Sequence, residues 1–121
     1  MPTADTTLID QAEAIVASWF ARLCEPSVKM ASFRTAKGRQ LGLAKERSTA
    51  IFLWAEGFDP SISGVEINNR TRPGLPYAPD QTRSTAVNTQ CSQLKFGNRA
   101  YYLRCESTGA LERFLDWYAT C

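Results

Sequence analysis

Residues 30–43 read Met30-Ala31-Ser32-Phe33-Arg34-Thr35-Ala36-Lys37-Gly38-Arg39-Gln40-Leu41-Gly42-Leu43. Two strand-like runs, 30–35 and 39–43, flank Ala36-Lys37-Gly38, and the glycine there suits the turn of a β-hairpin. Outward from this hairpin the strand pattern continues. Residues 49–54 read as a buried strand and 65–68 as a short one. The best-marked hairpin lies further on, in Gln93-Leu94-Lys95-Phe96, then Gly97-Asn98, then residues 99–105. A two-residue Gly-Asn loop supplies the positive φ angles that favoured hairpin turns require. Tyr101 and Leu103 then share one face of the last strand, and Ala100 and Tyr102 the other.

Helices bracket these strands. Leu8, Ile9, Ala12, Ile15, Val16, Trp19, Phe20 and Leu23 recur at helical spacing. This stripe predicts a helix over about 7–24, capped by Thr7 with Asp10 three residues on, and closed before Pro26. Asp10, Glu13 and Arg22 belong to its solvated face. Near the other end, Leu111, Phe114, Leu115 and Tyr118 mark a helix over about 108–119, capped by Ser107 or Thr108. Gly109 in its first turn weakens it by less than about 1 kcal/mol. The fold class that follows is α+β: a mostly antiparallel sheet of four to six strands with both terminal helices packed on one face. A length of 121 residues suits one domain over 1–121. A chain of this size buries roughly two-thirds of its unfolded surface without needing staples.

Residues 69–92 fit no regular pattern. Prolines, a glycine, amides and hydroxyls fill a connection longer than the roughly 12–15 residues usual inside compact domains, and such loops are commonly functional. Trp54, beside Ile51, Phe52 and Leu53, reads as core with its indole N–H satisfied, in preference to a pocket for a flipped base.

Hydrophobic residues at 44% and charged residues at 21% are those of a globular chain. No apolar run approaches the roughly 20 residues of a membrane span. The acidic, polar start Met1-Pro2-Thr3-Ala4-Asp5 lacks the features of a secretory signal. A cytoplasmic location is therefore expected. Cys24, Cys91, Cys105 and Cys121 are widely and irregularly spaced, and with no histidine in the chain free thiols are expected rather than a zinc site. No metal or cofactor is expected.

Charge is unevenly distributed although the net value is +2. Residues 26–49 hold Lys29, Arg34, Lys37, Arg39, Lys45 and Arg47 against Glu46 alone. Residues 70–104 hold Arg70, Arg72, Arg83, Lys95, Arg99 and Arg104 against Asp80. The helical ends are acidic. If the two basic segments converge they form a cationic face, the footprint of a nucleic-acid binder. Arginine suits phosphate and guanine edges.

The absence of histidine excludes Ser/His/Asp and Cys/His catalysis within one chain. No phosphate-binding loop, dinucleotide fingerprint or nucleophile elbow occurs. Asp59 and Glu66 flank a turn-rich segment that resembles the aspartate and Glu-x-Lys element of restriction-type, metal-dependent nucleases. Asn68 stands where the lysine would be, and an amide cannot supply its charge. Asp59-Pro60-Ser61 is more simply a turn.

The leading expectation is a non-catalytic nucleic-acid-binding module, for DNA rather than RNA. Lys37, Arg39, Arg70, Arg72 and Arg83 would hold phosphates. Asn69, Asn88 and Gln90 would read or bridge bases, and Tyr77 would stack. The alternatives are a small inhibitor or adaptor that binds a nucleic-acid-handling protein, and the metal-dependent nuclease.

Overall fold

The computed structural model describes residues 8–27, 29–45, 50–69, 71–83 and 85–121. Along the chain run α1 (Leu8–Trp19), β1 (Ala21–Arg22), β2 (Met30–Arg34), β3 (Gln40–Ala44), β4 (Ile51–Ala55), β5 (Val65–Ile67), α2 (Thr85–Gln90), β6 (Tyr101–Cys105) and α3 (Thr108–Tyr118). Among the described residues the strands form one sheet in the order β1-β2-β3-β4-β6-β5, with every neighbouring pair antiparallel. The expected α+β architecture is the one observed.

The first hairpin forms as its residues require. Arg34 lies opposite Gln40 and Met30 opposite Ala44. Gly38 closes the turn at φ +89°, a left-handed conformation that a Cβ would strain. Strand alternation then divides the sheet into two apolar faces. Ala31, Phe33, Leu41, Leu43, Ile51, Leu53, Leu103 and Cys105 point to one face. There they meet Ala12 and Val16 of α1 and Leu111, Phe114, Leu115 and Tyr118 of α3. Ser107 caps α3 by accepting from Ala110 N at 3.1 Å.

Met30, Trp54 and Ala100 point to the opposite face. The long connection covers them, and it is not an irregular excursion. It carries α2 and buries Val87, Cys91 and Leu94 as a second core. Trp54 stacks on Tyr102 with centroids 4.4 Å apart, and Tyr77 meets it edge-on at 4.8 Å. Burying Val87 and Leu94 stabilises the closed connection by roughly 1.5–3 kcal/mol apiece. Gly42 makes this approach possible: a Cβ there would lie 3.0 Å from Met30 Sδ and 3.2 Å from Cys91 Sγ.

Three further expectations change. The first helix ends at Trp19, not near residue 24. Phe20 N still bonds the Val16 carbonyl, but Ala21 and Arg22 then pair with Arg34 and Phe33. Pairing with β2 overrides the helical spacing of Leu23. The capping role of Thr7 lies outside the described residues. Second, residues 93–96 are not the hairpin partner of β6. A strand has two edges, and those of β6 are filled by β4 and β5, so Leu94 instead enters the second core. Third, Glu13 is not on a solvated face. It is half-buried and bridges Arg22 and Lys45, each at 3.0 Å.

Candidate nucleic-acid interface

Strand register fixes where the two basic segments sit. Leu41 of β3 lies opposite Ala55, and Ala55 lies opposite Tyr101, the first residue of β6. The hairpin turn and the residues leading into β6 are therefore at the same end of the sheet. Gln40 joins them. Its Nε2 donates to Ser92 Oγ at 3.2 Å, and its Oε1 accepts from Gln93 N at 2.8 Å. The Gln93 amide, with its nitrogen inward, donates to the Gly38 carbonyl and to the Glu56 carboxylate. The first hairpin and the long connection are thus in contact.

The cations at this end differ in what they are bonded to. Arg39 reaches the Glu56 carboxylate at 3.4 Å and is half-exposed, so part of its charge is answered. Lys37 is exposed and donates from Nζ to the Thr120 carbonyl at 2.9 Å. Arg72, Lys95 and Arg99 are exposed and make no side-chain hydrogen bond or ion pair among the described residues. Arg34 is in the same condition on β2. Arg70 lies outside the described residues.

The remaining candidates are committed within the chain. Arg83 donates to the carbonyls of Ala78, Gln81, Leu94 and Asn98, at 2.7 to 3.3 Å. Its guanidinium also lies 5.7 Å from the Tyr77 ring centroid. Burial lowers its pKa from the ordinary value, with Tyr77 acting in the opposite sense; an arginine nonetheless stays charged. Asn69 is buried, donates to the Leu75 and Pro76 carbonyls, and exchanges bonds with Gln81. Asn88 Oδ1 accepts from Phe96 N at 2.8 Å. Gln90 donates to Ser27 Oγ at 3.1 Å and accepts from Cys24 Sγ. Tyr77 sets its edge against the stacked pair Trp54 and Tyr102. Asn69, Tyr77 and Arg83 therefore shape the connection, and Lys37, Arg39, Arg72 and Asn88 are left as the exposed members of the expected set.

Two residues outside that set, one beside the hairpin and one within it, add to this end of the sheet. Trp19, 38% exposed, and Arg34 line a cavity of about 540 Å³ together with Phe20, Thr35 and Lys37. Helical periodicity assigns Trp19 to a core stripe. Only the early end of α1 leaves it beside the hairpin, and nothing in the local sequence marks that end.

The carboxylates considered for metal chemistry are separately occupied. Asp59 Oδ1 accepts from Ser61 N at 2.9 Å and Ser61 Oγ at 2.8 Å. The backbone bond first, and then the hydroxyl bond, hold its pKa below the usual carboxylate value. Glu66 faces Arg104 at 3.6 Å. Among the described residues no three of His, Cys, Asp or Glu cluster as metal ligands. Cys24, Cys91, Cys105 and Cys121 are free thiols. No described helix is long and apolar enough to cross a membrane. Comparison with family models, with curated proteins and with solved structures finds no match to this chain.

Proposed function

We propose that this protein is a non-catalytic nucleic-acid-binding module whose contact surface is the hairpin end of the sheet. The observation that carries the reading is the Gln40 amide, bonded to Ser92 and Gln93, which brings the two arginine-containing segments together. Arg34, Lys37, Arg72, Lys95 and Arg99 supply cations with no carboxylate partner among the described residues. Phosphate contacts from such groups give affinity with little sequence preference. Because Asn69 and Arg83 are bonded internally, base-edge reading through the connection contributes little, and backbone contact dominates.

The test is a salt series with duplex and single-stranded oligonucleotides. Four or five phosphate contacts give a slope of log affinity against log salt of about −4. A slope near zero, or no binding at low salt, rules the reading out.

A second reading has its own observation. Leu75 and Phe96 in the connection are 55% and 48% exposed, as a protein-binding inhibitor or adaptor would require. A stable partner would bury at least about 1,000 Å² in total. Leu75→Ser with Phe96→Ser would then abolish a defined complex while leaving oligonucleotide affinity intact. Loss of oligonucleotide binding alone would count against it.

A further inference from the structure

We propose that the groove beside β1 is a subsite for one unpaired nucleotide of a single strand, with its base on Trp19 and its phosphate between Arg34 and Lys37. The proposal rests on the nucleic-acid reading above and narrows it to single-stranded polymer at a named place. The cavity, about 540 Å³, has the size of a small-ligand site. Its aromatic wall is Trp19, which is exposed, whereas Trp54 is only 4% exposed. Phe20 beneath it is 7% exposed and packs edge-on to Tyr118 with centroids 6.3 Å apart, so the floor is anchored in the main core.

The cationic wall is available for a phosphate. Arg34 has no hydrogen bond or ion pair among the described residues. Its guanidinium can offer two parallel donors to a phosphate. Lys37 gives one N–H to the Thr120 carbonyl, and an ammonium has three, so two remain. An aromatic residue and two cations lining one cavity suit a base and its own phosphate, the pairing by which single strands are held without sequence preference. Paired bases in a duplex are stacked on one another and cannot reach Trp19 without being extruded.

The full chain is titrated with an eight-nucleotide oligothymidylate, with a blunt duplex, and with inorganic polyphosphate, reading tryptophan fluorescence and the anisotropy of labelled oligonucleotide. The expected result is fluorescence quenching by oligothymidylate. Trp19→Ala should weaken its affinity about tenfold or more while Trp19→Phe retains most of it. Arg34→Ala should reduce the single-strand salt slope by about 0.7. Duplex and polyphosphate affinities should be unchanged in Trp19→Ala. Because Arg34 is exposed, Arg34→Glu tests the same site without touching the core and should weaken single-strand binding more than Arg34→Ala. If oligothymidylate binds Trp19→Ala and Arg34→Glu as tightly as the parent, the subsite is overturned, and the salt-dependent duplex binding that remains sustains the broader reading. If no polymer binds the parent chain, both fail together.

Discussion

Arg83 Nη1 donates to the Leu94 carbonyl at 2.7 Å, tying the start of α2 to the turn that follows it. The same guanidinium also holds the carbonyls of Ala78, Gln81 and Asn98. Arg83→Ala leaves these acceptors without their donor and removes the cation beside Tyr77. A loss of about 2–3 kcal/mol is expected, since hydrogen bonds from charged donors are the stronger kind. Arg83→Lys recovers less than half, because an ammonium cannot span the fork. Urea unfolding midpoints measure both. An unchanged midpoint in Arg83→Ala would show that the connection closes without this clamp.

Tyr118 joins α3 to the hairpin end. Its hydroxyl donates to the Gln40 carbonyl at 2.5 Å and accepts from Glu56 N at 2.9 Å. Tyr118→Phe preserves the ring and strands both backbone groups, at a cost of about 2–3 kcal/mol. The measurement is the same midpoint. A loss below about 0.5 kcal/mol would mean that water reaches those groups.

Stability should fall at alkaline pH. Burial pushes the Cys91 and Cys105 thiols up to about 12 from 9.0, and it also raises Tyr118. A group whose folded pKa is raised contributes stability that is complete below its unfolded pKa and is lost as pH rises toward the folded value. For the thiols the decline begins near pH 9, and for Tyr118 near pH 10. Denaturant midpoints at pH 7, 9 and 10.5 should decrease in that order. Equal midpoints across the series would contradict the burial of these groups.

Gly42→Ala places a methyl 3.0 Å from Met30 Sδ and 3.2 Å from Cys91 Sγ, both in the second core. Overpacking of this kind costs about 1–3 kcal/mol. Hydrogen exchange should localise the loss to residues 85–94, since α2 is the element that must lift away. Uniform loss across all strands would instead place the strain in the sheet itself.

Removing Arg72, Lys95 and Arg99 together as alanines should leave the unfolding midpoint within about 0.5 kcal/mol, because each is exposed and unbonded among the described residues. The same triple variant should flatten the salt slope by about 2 to 3. Binding that is equally steep in the variant would move the contact surface elsewhere on the molecule.

Much of the fold was legible because its signals are local. The spacing of Leu111, Phe114, Leu115 and Tyr118 and the cap at Ser107 belong to one helix whatever surrounds it. Gly38 between two strand-like runs specifies its hairpin by turn geometry alone. The Gly97-Asn98 signal misled for the converse reason. Gly97 does adopt φ +103° in a turn, but the strand after it is taken by two non-local partners. The exposed cations were also legible as cations. Their separation from Arg83 was not, since an internal and a solvated arginine read identically in sequence.

By itself, the order of residues determined that two helices bracket an antiparallel sheet, and that positive charge gathers in two segments of the chain. Tertiary structure alone decided that those segments touch through Gln40, that Asn69 and Arg83 turn inward, and that Trp19 is left at the surface. Periodicity and turn chemistry act over a few neighbouring residues. Which side chain is buried and which is bare depends on what packs against it from distant parts of the chain, and that is set only when the sheet's two faces are covered.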